Sequence, residues 1–181
     1  MLVRGLVALG LVVAFVVAGP ADATSREDTA TPGSSRAPVF HPTQSNGREM
    51  GTVRIPAIGV DETIRSGVDI DVINQGVAHW VGTADAGGEG NMVLAGHRTT
   101  YTKPFYDLGE LSVGDLVYVS DDRDGEVMYR VTESFIVDPE DIWITFDQES
   151  PMLTMFACHP KGSTRYRIVV TAEPVADVPI A

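Results

Sequence analysis

The chain has 181 residues, 44% of them hydrophobic, and a formal net charge of −12. That length holds one domain of roughly 100–150 residues plus an appendage. The acidic balance argues against a nucleic-acid binder, whose phosphate contacts need clustered Lys and Arg, and fits the solvated surface of an exported protein.

Met1-Leu-Val-Arg4 is a short basic start, and Gly5 to Gly19 is apolar without a break. A membrane-spanning helix needs about 20 apolar residues, with roughly 17 as the lower limit. Counting back through Leu2 and Val3 reaches that limit if Arg4 snorkels. Ala21-Asp-Ala23 also resembles an A-x-A signal-peptidase site. Residues 1–20 are therefore expected to be either a retained hydrophobic anchor helix or a cleaved signal peptide. In both cases positive charge stays on the cytoplasmic side and the remainder faces outside. Residues 21–50 carry Pro32, Pro38, Pro42, Gly33 and Gly47 among many Ser, Thr and Asp, and are expected to be a flexible linker.

From Gly51 the pattern changes to short β-rich runs. Thr52-Val-Arg-Ile-Pro56 alternates, and a new run is expected to restart at Ile58-Gly-Val60. Residues 91–95, 115–120, 126–137, 152–159 and 165–172 read as further strands. Asp124-Gly125 and Lys161-Gly162-Ser163 mark turns. Short helical pieces fit around 71–75, 104–111 and 139–146. Many strands with two or three short helices predict a mainly β domain, a mostly antiparallel sandwich or closed barrel, over residues 51–176, with 177–181 as a tail.

Cys158 is the only cysteine. Exported proteins usually pair their cysteines, so a lone one suggests either a reactive thiol or an inert buried side chain. A nucleophilic thiol needs a base and a charge stabiliser. His97, ending the run Leu94-Ala-Gly-His, and Arg165 or Arg167 are the candidates. Period two puts Met152, Thr154, Phe156 and Cys158 on one strand face and turns His159 to the other. His159 is thus next to Cys158 in sequence, yet is the wrong histidine to activate it. His41 and His79 have no local reason to act. A zinc site from Cys158, His97 and His159 lacks the usual ligand spacing. No G-x-S-x-G, P-loop or H-E-x-x-H motif occurs.

Several segments in one order resemble the sortase family. They are Arg54-Ile-Pro-Ala-Ile-Gly-Val60, Leu94-Ala-Gly-His-Arg98, Pro104-Phe-Tyr-Asp-Leu-Gly-Glu-Leu111, Val113-Gly-Asp115, Leu153-Thr-Met-Phe-Ala-Cys-His-Pro160 and Arg165-Tyr-Arg-Ile-Val-Val170. Cys-His-Pro followed by Ser-x-Arg-x-Arg looks like the class E type of actinobacteria. The resemblance implies a closed eight-stranded β-barrel and a cysteine transpeptidase. Cys158 would attack the Thr–Gly bond of a C-terminal sorting signal, His97 would carry the proton and Arg167 would stabilise charge. Thr99, Tyr101 and Arg165 stand as candidate substrate contacts. The implied partners are surface proteins bearing the signal, a peptidoglycan-precursor amine and the cell membrane; no metal or cofactor is implied. Class E would favour Leu-Ala-x-Thr-Gly over Leu-Pro-x-Thr-Gly. Ala157 departs from the family's Thr before the nucleophile; alternation turns it away from Cys158, so an effect on motif preference rather than on chemistry is expected. An exported cysteine peptidase or hydrolase and a non-enzymatic β-barrel binding domain remain the alternative readings.

Overall fold

The structure, a computed structural model, describes residue 37 and residues 46–121 and 125–175. The expected N-terminal helix, nearly all of the linker and the tail lie outside the described residues, as does Asp124. Among the described residues no helix is long and apolar enough to cross a membrane.

Eight strands form the domain: β1 (Glu49–Ile55), β2 (Val60–Ser66), β3 (Val77–His79), β4 (Asn91–Ala95), β5 (Leu116–Asp121), β6 (Gly125–Val137), β7 (Met152–His159) and β8 (Tyr166–Pro174). They close into a barrel in the order β1-β2-β3-β4-β7-β8-β6-β5, with β5 pairing back onto β1. The closed barrel holds and the open sandwich does not. Two of the pairings, β2 with β3 and β4 with β7, are parallel, and the rest are antiparallel.

Alternation decides what goes inside. Val53 and Ile55 of β1, Val117 and Val119 of β5, Leu153, Met155 and Ala157 of β7, and Ile168, Val170 and Ala172 of β8 fill the barrel. Fully burying a Val, Leu or Met contributes about 1.5–3 kcal/mol, so this lining is the main source of stability. Ala157 belongs to it, at 2% exposure. The residue before Cys158 is thus a core residue turned away from the outer face.

Three boundaries differ from expectation. Pro56–Ile58 is a 3-10 turn rather than the start of a strand, and β2 begins only at Val60. Pro56 lacks the amide a strand would use, and Gly59 at φ 66° supplies the left-handed residue that reverses the chain. β1 begins at Glu49, inside the stretch expected to be linker, because Gly47 N–H donates to Ser66 O (2.8 Å) and Ser66 N–H to Arg48 O (2.8 Å). β3 has only three residues, too few for alternation to register. The helical pieces are short: α1 (Ile70–Ile73) and 3-10 turns at Leu108–Glu110 and Ile142–Thr145.

The β6–β7 connection packs on the outside of the barrel. Ile144 joins Val137 and Val169 in a second apolar cluster, with Phe135 and Phe156 against it. Asn91 fixes it there. Its Nδ2 donates to Ile144 O and Phe146 O (3.1 Å each), while Thr154 Oγ1 donates to Asn91 Oδ1 (2.8 Å). Both side chains are 1% exposed, so these bonds also remove what would be costly unsatisfied polar groups. The result is an apolar wall on the face that Cys158 shares with Phe156.

Candidate active site

Cys158 lies opposite Arg167 in the β7–β8 ladder. Directly opposed residues of an antiparallel pair project to the same face. On the other side β7 pairs with β4, Thr154 against Val93 and Phe156 against Ala95. Gly96 N–H still donates to Phe156 O (3.3 Å). Carrying this register on two residues sets His97 level with Cys158, and alternation from Val93 and Ala95 turns it to the same outer face. The three candidates thus form one row across three adjacent strands at one rim of the barrel.

His97 has a defined environment. Its Nε2–H donates to Asn74 Oδ1 (2.8 Å), at the end of α1. A carbonyl oxygen only accepts, so the ring proton sits on Nε2 and Nδ1 carries the lone pair. Nδ1 has no hydrogen bond among the described residues. The Tyr101 ring stacks on the imidazole (centroids 5.0 Å, 27° between planes). Tyr101 is 65% exposed and adopts a left-handed φ of 53°, and Lys103 does likewise at 45°. For such side chains that conformation is strained, and strain of this kind gathers at functional sites. Burial holds the His97 pKa below the ordinary imidazole value, so the ring is neutral at neutral pH.

Cys158 is a half-buried free thiol. No hydrogen bond joins it to His97 among the described residues. Proton transfer therefore requires Nδ1 to approach the sulfur, as when catalytic contacts tighten around a substrate. Arg167 Nη1 donates to Thr164 O (2.9 Å) and Tyr166 O (3.0 Å), which fixes the plane of the guanidinium. No ion pair neutralises it among the described residues, so its charge remains available to an oxyanion beside the thiol.

The remaining candidates lie elsewhere. Arg165 is exposed before β8, with its guanidinium 5.1 Å from the Tyr166 ring centroid, and does not pair with β7. Thr99 is exposed two residues past His97. His159 is turned away from Cys158, and its Nδ1 accepts from Arg98 Nη1 (2.8 Å). The set of Cys158, His97 and His159 therefore does not converge on a metal. His79 is buried in β3 against Ala84 O (2.9 Å), and His41 lies outside the described residues. Sequence reasoning missed Asn74. It stands 23 residues before His97 in a helix-ending Asn-Gln-Gly, which signals a cap and nothing about a histidine.

Similarity to known proteins agrees with this arrangement. The sortase domain family model matches residues 53–175. Sortase D of Bacillus subtilis (strain 168) is 33% identical over 115 residues, covering 63% of this chain and 56% of its own. Sortase SrtE1 of Streptomyces coelicolor is 27% identical over 99 residues, covering 50% and 28%. The chain thus spans about half and about a quarter of the lengths of these two relatives. The structure of Clostridium perfringens sortase C with the C-terminal cell wall sorting motif aligns with a TM-score of 0.68 at 27% identity, covering 72% of each chain. With the family match spanning nearly the whole barrel and the Cys, His and Arg side chains in one row on its rim, the chain belongs to the sortase family.

Proposed function

We propose that the protein is a cysteine transpeptidase that cleaves a Leu-Ala/Pro-x-Thr-Gly-type sorting signal between Thr and Gly and passes the acyl group to a cell-wall precursor amine. The observation that carries this reading is the row of His97, Cys158 and Arg167 on the outer rim. His97 Nδ1 takes the thiol proton, and the Cys158 sulfur attacks the Thr carbonyl carbon. Arg167 stabilises the negative oxygen of the tetrahedral intermediate. His97 Nδ1–H then protonates the departing Gly nitrogen, which leaves a thioester on Cys158. An incoming amine attacks that thioester and gives its proton to Nδ1; collapse expels the sulfur as the new amide forms, and Nδ1–H returns the proton to it, which restores the thiol. Asn74 accepts from Nε2–H in both the neutral and the cationic ring, so it holds the imidazole throughout the cycle without adding charge.

A substrate backbone would pass the edge of the apolar cluster of Phe156, Val169 and Ile144, where the part-exposed Phe156 shares the face of Cys158. The sorting-motif complex of the Clostridium perfringens relative supports a peptide of this class. Residues 2–19 tether the enzyme to the outer face of the cytoplasmic membrane, where a membrane-linked acceptor reaches high effective concentration. Of the two curated relatives the sortase D is the more identical, so the class E pattern of Cys-His-Pro stands as a statement about motif preference to be measured.

Mass spectrometry of the full-length protein with Leu-Ala-x-Thr-Gly and Leu-Pro-x-Thr-Gly peptides, with and without a diamine, tests the proposal. The expected product is the Thr-acyl diamine adduct, formed faster from the Leu-Ala peptide and absent with Cys158→Ala. Free acid alone would make the protein a hydrolase, and intact peptides would leave a binding domain. Membrane fractionation with N-terminal sequencing tests the tether. A mature chain starting at Thr24 that washes off the membrane would refute it.

A further inference from the structure

We propose that Arg98 and His159 form a latch that positions His97 and Cys158 relative to one another across the ends of β4 and β7. The inference rests on His97 and Cys158 being the reacting pair, and it concerns residues that touch neither substrate nor thiol.

The main chain stops holding the two strands together one step too early. The last backbone bond between them, Gly96 N–H to Phe156 O, lies below the level of the reacting pair. The His97 carbonyl accepts from Phe105 N–H (3.2 Å), inside its own loop rather than across to β7. One residue further on, the alternation that turns His97 and Cys158 outward turns Arg98 and His159 to the opposite side. There the Arg98 guanidinium spans the gap and donates to His159 Nδ1 at 2.8 Å. This contact joins residues 61 apart in sequence, each the immediate neighbour of a reacting residue.

Arg98 is built in rather than draped over the surface. It is 5% exposed, and its Nε donates to Tyr106 O (3.2 Å). A Cβ at position 109 would come within 3.0 Å of Nη2, so Gly109 leaves the guanidinium its room. A buried guanidinium is ordinarily matched by a carboxylate. No ion pair engages Arg98 among the described residues, and its partners are a backbone carbonyl and an imidazole. Arginine has no acceptor atom, so His159 must offer its Nδ1 lone pair and keep its proton on Nε2. Burial, and then the Arg98 charge, lower the His159 pKa, which preserves that lone pair at neutral pH. The turn after His159 is tied to the same loop again, Lys161 Nζ lying 2.7 Å from Asp107 Oδ1 and 4.0 Å from the Tyr106 ring centroid. Burying a cation against neutral partners is a poor way to gain stability, so its geometric effect on the adjacent pair is the better account of it.

The test uses the full-length protein carrying Arg98→Met, His159→Ala, both together, or His159→Asn, whose side-chain oxygen replaces the Nδ1 acceptor. His159 sits at the rim, so its variants spare the barrel even where Arg98→Met does not, and thermal unfolding identifies any that fail to fold. In transfer assays the folded latch variants should lose about tenfold in kcat at unchanged KM, short of the roughly 10²-fold that a 1 Å displacement brings. The double variant should be no worse than either single one, and His159→Asn should recover most of the rate. Wild-type kcat, a rise confined to KM, additive losses or failure of His159→Asn to recover would each overturn the latch. Alkylation of Cys158 by iodoacetamide at pH 7 separates this idea from the one beneath it. Rates in the latch variants should fall toward that of His97→Ala. If His97→Ala is slow while they match wild type, the latch alone is wrong. If His97→Ala itself matches wild type, the reacting pair is wrong and the latch falls with it.

Discussion

His97 and His159 sit near each other at one rim, both carry the ring proton on Nε2, and they have opposite chemical prospects. His97 faces outward, bonds the neutral Asn74 through Nε2–H and leaves Nδ1 open beside the row of Cys158 and Arg167. His159 faces the other way, and Arg98 occupies its Nδ1. The residue adjacent to the nucleophile in sequence is therefore disqualified as its base twice, by strand alternation and by a capped lone pair. The residue 61 positions upstream is qualified by the register of a parallel strand pair. Proximity along the chain says little about which groups react; the face and the free lone pair say a great deal.

The largest effects should come from the outward-facing row. Cys158→Ala should abolish acyl transfer, and His97→Ala should lower kcat by about 10²–10⁴, the usual scale of a lost general acid–base group. His159→Ala should retain far more activity than His97→Ala. Transfer kinetics in which His159→Ala is the more damaging of the two would break the comparison outright. Next in size, Arg167→Ala should lose about 10²–10³ in kcat, as removal of an oxyanion donor does. Arg165→Ala should lose less, because that guanidinium rests on Tyr166 outside the β7–β8 ladder. A reversed ranking would reassign the arginine.

Asn74 sharpens the contrast. Asn74→Asp would set a carboxylate against the imidazolium and favour the charged ring, opposing the burial that now lowers the His97 pKa. The His97 titration followed by NMR, and the acid limb of the kcat/KM profile, should both move to higher pH. Asn74→Ala adds no charge and should lower kcat without that upward move. An unmoved profile in Asn74→Asp would remove Asn74 from the site.

The smallest effect concerns stability. Burial lowers the pKa of His79, and smaller contributions from Ala84 O and Asp85 oppose it. The folded-state pKa thus lies below the unfolded value of about 6.5. As pH falls through that value the unfolded chain takes up the proton first. The contribution of neutral His79 is complete above about 6.5 and is lost as pH falls through the folded pKa. Urea unfolding at pH 7.5 and 5.5 should show acid destabilisation that His79→Gln reduces. Equal losses in both proteins would locate the sensitivity elsewhere.

Much of this was legible before any coordinates. Alternation from Met152 puts Cys158 on one face and Ala157 and His159 on the other, and a tight turn at 160–163 brings Arg167 alongside. Those are local facts of period two and turn chemistry. That the Cys158 face is the outer one comes from the barrel. What was not legible depends on closure of the barrel. β3 is too short to carry a pattern and exists because β2 and β4 need a bridge between them. Asn74 and Arg98 acquire partners only when strands distant in sequence become neighbours. The Asn91 clamp likewise depends on the β6–β7 connection folding back across the outer wall.

The β4–β7 pair has a further consequence. In a barrel of mostly antiparallel neighbours, these two strands run the same way and so have their exits on one rim. His97 and Cys158 lie at those two exits. The 138–151 connection starts level with Arg167, crosses the outer wall through Ile144 and enters β7 from the opposite rim, while the 80–90 connection, with Ala86 in the barrel core, enters β4 there. Exchanges in 138–151 can therefore reshape the outer wall beside Phe156 while the β4–β7 pairing that sets His97 level with Cys158 stays as it is. Under the function proposed above, grafting the 138–151 connection between relatives should change peptide preference while leaving the chemistry in place.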